Sequence, residues 1–384
     1  MRIANRVANL PAYVFAEAGK TIAAMKTRGV DVIDLGIGSP DLAPPDWIVE
    51  RLYAAAQDPH KHGYAGYYGL PALRRAMAGY YQSRFGVALD ADRQVVALIG
   101  SKEGIYNVAQ AFVDAGDVAL IPDPGYPTYQ LSIIMAGGSP VPMPLQPELG
   151  FMPDLRAIPH DALRRAKLMW LNYPNNPTAA TPTMAFLAEA VAFAREHDLL
   201  LCYDNPYCDV TFDGYVAPSI LQVPGASDVA LEFNSLSKTY NMAGWRVGMA
   251  VGSAQAVEAL ARVKTNIDSG IFAAIQEAAA AALTGDQTWL AERNAIYQRR
   301  RDAVLEFLPA AGMQAETPLS TLYVWARVPA GESSVALAKR ILEATGVWLT
   351  PGTAFGAHGE GYVRIALTHP EARLREAGDR LRQL

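Results

Sequence analysis

The apolar positions of this chain fall into two alternating rhythms. Short runs that are apolar almost without interruption recur through its first two-thirds: VVALIG (95–100), VALIP (118–122), KLMWLN (167–172), LLLCYD (199–204), VALEFN (229–234) and RVGMAV (246–251). Runs this short and this continuous are the pattern of strands covered on both faces. Between several of them lie stretches with helical spacing, at 102–114, 126–136 and 183–197. Thr181-Pro182-Thr183 offers a start for the last, with hydroxyl chemistry and a proline in the first turn. Strand alternating with helix predicts an α/β domain built on a large, mostly parallel sheet.

After residue 252 the rhythm changes. Helical patterns cover 253–265, 271–284 and 287–307. They are followed by strand-like TLYVWARV (321–328), a helix near 333–345, VWLTPG (347–352), the strand YVRIAL (362–367) and a charged helix from 370. This order predicts a smaller α+β domain. The early run VIDLGIG (32–38) stands isolated and is expected to join it. The division is then 48–285 for the large domain and 1–47 plus 286–384 for the small one. No internal repeat is present, and the alanine-rich AAIQEAAAAAL (273–283) fits a buried helix.

Composition narrows the function classes. The 384 residues are 51% hydrophobic and 18% charged, with a formal net charge of −5 and no long Lys/Arg run. That is a globular composition with no footprint for nucleic acid or an anionic membrane surface. The opening MRIANRVANLPAYVFAEAGK has no uninterrupted apolar segment, so no signal peptide is expected. No apolar run approaches the roughly eighteen residues of a membrane span. Cys202 and Cys208 are too few for a disulfide framework or a zinc site, which fits a reducing compartment, the cytoplasm. No GxGxxG fingerprint supports a dinucleotide site.

The polar oddities of the chain follow the predicted strands, where ligands of parallel sheets bind. They are Gly100-Ser101-Lys102, Asn172 to Thr178, Asp204 to Tyr207, and Ser235 to Lys238. Lys238 and Arg246 lie in NSLSKTYNMAGWRVG between two apolar segments, where an ammonium loses hydration. A lysine that bonds covalently to an aldehyde cofactor suits that place. A pyridine-type electron sink also needs an acid at its ring nitrogen, donors at its ring oxygen and a cationic, hydroxyl-rich cup for its phosphate. Asp204 at a strand end supplies the acid, and Tyr207 and Asn176 the donors. Ser101, Ser235, Ser237 and Arg246 supply the cup, with Gly100 letting the backbone approach and a helix starting at 101. Tyr126 could stack on the ring. Singly, each has a plainer reading: Lys238 as a solvated loop lysine, Asp204 as a helix cap, Asn176 as an Asx-turn, Tyr126 as packing, Arg364 as a cross-strand ion pair. The ordered set carries the specificity.

That set resembles the class I and II aminotransferases among the fold-type I enzymes that use pyridoxal 5'-phosphate. The likeness rests on SLSK followed seven residues later by Arg246, on NNPT (175–178), on Asp204-x-x-Tyr207 and on Arg364 within a late strand. LGIGSPD (35–41), PGYP (124–127) and TPGTAFG (350–356) match as well, so it spans essentially the whole chain in family order. The resemblance implies that Lys238 carries the cofactor, Asp204 pairs with its ring nitrogen, Tyr207 and Asn176 meet its ring oxygen, and Tyr126 stacks on it. Ser101, Lys102, Ser235, Ser237 and Arg246 would surround its phosphate. Tyr64, in GYAGYYGLPALR, would reach the phosphate of a neighbouring subunit, which implies a homodimer with shared sites. Gly38 and Arg364 would bind the α-carboxylate of the substrate. The implied activity is exchange of an amino group between an L-amino acid and a 2-oxo acid in a ping-pong cycle.

Finer wording points to a subgroup. GSKEG (100–104) has Lys102 where many relatives carry a small or acidic residue, and NNPTAA (175–180) lacks the glycine usual after Thr178. With YDNPYCDVTFDGY (203–215) and KTNIDSGIFAAIQEA (264–278), these features are similar to the LL-diaminopimelate aminotransferases and their relatives. The implied donor is LL-diaminopimelate and the acceptor 2-oxoglutarate. An aspartate-, alanine- or aromatic-preferring enzyme is the alternative, and a β-lyase or decarboxylase uses the same cofactor constellation. Tyr13 and Phe15 are candidate lid residues, with helix packing as their plainer role. A cofactor-binding sensor fused to a DNA reader would need a basic helix-turn-helix, for which the motifs leave no room.

Overall fold

The computed structural model describes residues 1–8, 10 and 14–384, with side chains for all of these except 14–18. The strands are β1 (Ile33–Asp34), β2 (Val95–Leu98), β3 (Val118–Asp123), β4 (Ser139–Pro144), β5 (Ala166–Asn172), β6 (Leu200–Asp204), β7 (Ala230–Ser235), β8 (Gly248–Gly252), β9 (Tyr323–Arg327), β10 (Val347–Trp348), β11 (Thr350–Pro351) and β12 (Tyr362–Ala366).

Seven strands form the main sheet in the order β2-β8-β7-β6-β5-β3-β4. Continuous apolarity has the expected cause, because each face of the sheet carries its own core. Met169, Leu171, Leu201 and Tyr203 enter one core, while Leu168, Trp170, Cys202 and Phe233 enter the other. β3 to β7 run parallel, and β8 pairs antiparallel with both β7 and β2. The reversed strand matters for the site. It brings the start of β8, next to Arg246, to the edge where β2, β5, β6 and β7 end.

β4 escaped the sequence reading because Pro140, Pro142 and Pro144 interrupt it. The register shows why they are tolerated. The amides of Ser139 and Leu145 donate into β3, to the carbonyls of Asp117 and Asp123. Odd positions therefore face the sheet and the prolines take the even, outward ones at its edge.

A third core joins β9, β12 and the helices Trp289–Phe307, Ser334–Thr345 and Glu371–Leu381. Ile33 and Leu35 belong to it, as do Tyr207, Val210 and Phe212. The run at 32–38 is not isolated: β1 pairs in parallel with β10, Ile33 opposite Val347. VWLTPG is split into β10 and β11, and β11 pairs with β12. Tyr13 and the side chain of Phe15 lie outside the described residues. Among the described residues, no helix is long and apolar enough to cross a membrane.

The helix expected at 183–197 spans Met184–Glu196, and Thr183 is its cap, its Oγ1 accepting from the Phe186 amide at 3.1 Å. Pro182 precedes the helix rather than sitting in its first turn. Thr183→Ala is expected to destabilise the protein by about 1 kcal/mol and Thr183→Asp by much less, since either oxygen can accept that bond. Urea unfolding of the two variants checks it.

Candidate active site

The sheet delivers polar side chains to one cavity of about 410 Å³. Asn172 and Asp204 end neighbouring parallel strands in direct register. Ser235 ends β7 and caps the short helix Leu236–Thr239, its Oγ accepting from the Ser237 amide. That helix holds Lys238. From the side of the third core come β9 with Tyr323, β12 with Arg364, and the segment Gly36–Ser39 after β1.

Of the residues expected from sequence, Gly38, Ser101, Lys102, Tyr126, Asn176, Asp204, Tyr207, Ser235, Ser237, Lys238, Arg246 and Arg364 all line this cavity. Gly100 lies directly behind it at φ +75°, and a Cβ there would stand 2.2 Å from Nη2 of Arg246. Tyr64 is the exception. It is 91% exposed and does not line the cavity of its own chain.

Asp204 is almost fully buried. Its Oδ2 accepts from the Tyr129 hydroxyl at 2.6 Å, and its Oδ1 has no hydrogen-bond partner. A capping role is thereby excluded. Burial pushes the carboxyl up to about 7, against the hydrogen bond from Tyr129. A carboxylate oxygen left so is costly until a cationic N–H meets it.

Asn176 is built in from behind. Its amide donates to Oδ1 of Asn172 at 2.8 Å, while Nδ2 of Asn172 donates to the Asp204 carbonyl at 2.7 Å. Asn175 closes the turn through Thr178, with Oδ1 accepting from its amide and hydroxyl. Ala179, where the usual glycine is missing, sits at φ +59° in the left-handed region, which costs a non-glycine residue about 1 kcal/mol. Oδ1 of Asn176 accepts from Nη1 of Arg364 at 2.7 Å, and Nη2 of Arg364 donates to the Gly36 carbonyl at 2.6 Å. The guanidinium carbon lies 4.1 Å from the Tyr323 ring centroid and 4.6 Å from that of Phe355, a planar slot that fixes its orientation.

Lys238 donates through Nζ to the Gly38 carbonyl. Burial lowers the pKa of its amine, Tyr323 opposes the shift, and Arg364 and Arg246 add to it. The hydroxyls of Tyr207 and Tyr323 are 3.0 Å apart. Burial raises Tyr207 well above the ordinary phenol value. Burial also pushes Tyr323 up, but Arg364 and Lys238 outweigh it and the net shift is downward. Either hydroxyl can be the donor of that bond. A Cβ on residue 38 would stand 1.9 Å from the Tyr323 hydroxyl, so the segment fits only with glycine there.

Tyr129, Tyr323 and Phe355 were not legible as site residues. Tyr129 lies three residues beyond Tyr126, and its ring stacks on Trp170 at 4.8 Å. Nothing in PTYQLS announces a bond to a carboxylate 75 residues away. Tyr323 and Phe355 sit in apolar or glycine-rich surroundings that read as packing.

The lining carries four cations, Lys102, Lys238, Arg246 and Arg364, against the one carboxylate of Asp204. That balance suits a ligand with two anionic ends and one cationic nitrogen. Pyridoxal 5'-phosphate with an amino acid beside it has that charge pattern, and the bare Oδ1 of Asp204 and the cleared space at Gly100 fit its ring nitrogen and phosphate. The fold is that of the class I and II aminotransferases, whose family model matches residues 30–381. The chain belongs to that family of transaminases, and pyridoxal 5'-phosphate is its cofactor.

Relatives and solved structures agree over full length. The chain is 52% identical to the LL-diaminopimelate aminotransferase of Moorella thermoacetica over 384 residues, covering 100% of this chain and 98% of the relative. It is also 52% identical to the enzyme of that name from Desulforudis audaxviator, covering 99% and 97%. Substrate-bound BacF of Bacillus subtilis superposes with a TM-score of 0.95 at 39% identity, covering 100% and 98%.

Proposed function

We propose that the chain takes an amino group from LL-diaminopimelate and passes it to 2-oxoglutarate in a ping-pong cycle. The oxo product would cyclise to tetrahydrodipicolinate, which places the enzyme in lysine and cell-wall precursor synthesis. The observation that carries this reading is likeness at half identity, end to end, to relatives of that name.

When bound, the cofactor supplies the electron sink for the pair left at the substrate Cα. The residues do the rest. Arg364 and Gly38 hold the α-carboxylate, and the guanidinium, set against the Tyr323 and Phe355 rings, orients the Cα–H bond. The Lys238 amine, its pKa lowered, would take the Cα proton at Nζ and deliver it to the former aldehyde carbon of the cofactor rather than back to Cα. Asp204 would keep a proton on the ring nitrogen. Tyr207 and Asn176 would donate to the ring oxygen, Tyr126 would cover the ring, and Ser101, Lys102, Ser235, Ser237 and Arg246 would hold the phosphate. Arg364→Lys is expected to raise KM for the amino donor roughly tenfold to a hundredfold, with cofactor affinity within about twofold, because lysine loses the fork and the stacking. Steady-state kinetics and cofactor titration measure the two. Equal losses in both would count against the role.

The same reading includes a cytoplasmic homodimer in which Tyr64 reaches the site of the neighbouring copy. Its support is that the large side chains of Tyr53, Tyr64, Tyr67 and Ile267 stay exposed. We also assign a large domain at 48–285 and a small one at 1–47 plus 286–384; the core around β9 and β12 comes mostly from the small one, with Tyr207, Val210 and Phe212 added from the large one.

The substrate test is a half-reaction. Holoenzyme is mixed with LL-diaminopimelate, glutamate, aspartate, alanine or phenylalanine, one at a time and without acceptor. Absorbance follows the conversion of the cofactor to its amine form. Fastest conversion with LL-diaminopimelate and glutamate supports the reading. An inert LL-diaminopimelate beside a fast aspartate, alanine or phenylalanine overturns the substrate, and β-elimination products would overturn the reaction.

A further inference from the structure

The helix Trp289–Phe307 lies outside the cavity yet grips both of its walls. Two of its arginines, 293 and 300, are each 3% exposed. Arg293 turns its guanidinium on the Lys238 loop. Nη1 donates to the carbonyls of Lys238, at 2.8 Å, and of Thr239, while Nη2 donates to the carbonyl of Asp209. These cap the C-terminal end of the helix that holds Lys238, where a cation is favourable. Asn294 braces the clamp: its Oδ1 accepts from Nε and Nη2 of Arg293, and its Nδ2 donates to the Asp209 carbonyl at 3.0 Å. Asp209 is fixed in turn through its side chain by Arg84, Tyr80 and Thr239.

Two turns along the same helix, about 10 Å away, Arg300 holds the opposite wall. It grips Asp41 with both Nη atoms, at 2.7 and 2.9 Å, and donates to the Leu367 carbonyl at 3.1 Å. Asp41 ends the segment that contributes Gly36 to Ser39 to the cavity, and Leu367 follows the strand that bears Arg364. Neither arginine lines the cavity.

We infer that this helix is a positioning strut: Arg293 sets Lys238 and Arg300 sets the carboxylate-binding wall, so one rigid element fixes the distance between proton transfer and carboxylate. The inference rests on the aminotransferase reading of the site. Misplacing a reacting group by about 1 Å costs up to about a hundredfold in rate, so each arginine should govern its own kinetic parameter.

The test is a split between kcat and KM in the full-length holoenzyme, on whichever amino donor the wild type accepts, so a wrong substrate leaves it intact. Arg293→Lys keeps a cation but loses the three-carbonyl cap. It is expected to lower kcat about tenfold with KM within about twofold, and to speed hydrogen exchange of residues 236–241. Arg300→Lys is expected to raise KM about tenfold with kcat within about threefold, leaving exchange at 236–241 unchanged. Asn294→Ala, which loosens the clamp without emptying it, is expected to follow Arg293→Lys at about threefold in kcat. It carries the test if Arg293→Lys does not fold. Folded Arg293→Lys or Asn294→Ala protein with wild-type kcat overturns the inference. So does an equal change of the same parameter from either end of the helix, which is what a merely structural role would give.

Discussion

Lys238→Ala is expected to lower turnover by at least about 10⁴-fold, the combined weight of a lost covalent anchor and a lost proton carrier. Folding should survive. The Lys238 side chain donates to the Gly38 carbonyl, and the clamp of Arg293 grips the backbone carbonyl of residue 238, which the substitution keeps. The cup around Arg246, the serines and Asp204 should still bind cofactor. Borohydride reduction followed by denaturation separates the outcomes: cofactor stays attached to wild type and washes off the variant. Normal turnover by the variant would remove Lys238 from the mechanism.

Asp204→Asn should show two effects of opposite sign. Activity is expected to fall by about 10³-fold, because an amide cannot hold a proton on the ring nitrogen with a full negative charge. Stability of the cofactor-free protein is expected to rise at alkaline pH. The sign follows from linkage. Burial raises this carboxyl from 3.8 to about 7 in the folded state, so between those values the folded protein binds more protons than the unfolded one. Its contribution to stability is therefore full below the unfolded value, falls as pH rises towards about 7, and stays lost above it. For a shift of this size the loss is on the order of 4 kcal/mol. Asparagine has no such loss, so urea midpoints of the two cofactor-free proteins should diverge from pH 5 to pH 8. With cofactor present the wild type should recover, since the ring N–H meets the bare Oδ1. Parallel pH profiles would mean that Asp204 does not ionise as its burial requires.

The site was legible wherever chemistry interrupts an apolar strand. A carboxylate after LLLCY, a lysine after ALEFNSLS and an asparagine in a proline-held turn are costly in those places, and each lines the cavity. The fold was legible for the same reason, since strands covered on both faces have no polar positions to spare. What stayed hidden depends on partners far along the chain. Tyr323 becomes a site residue through Tyr207, 116 positions earlier, and β1 finds its partner only at residue 347. The sequence reading of 287–307 as a helix said nothing of its buried arginines, because a carbonyl cap leaves no mark on the sequence of the loop it caps. The role of Tyr64 depends on a second copy.

The prolines of β4 have a consequence for how this protein fails. An open sheet edge with outward amides is a template on which another molecule can lay down a strand, and from which fibrous aggregates grow. Here the outward positions 140, 142 and 144 have no N–H to offer. A strand from another molecule therefore finds no N–H donor at these three positions, which makes this side a poor template for growth.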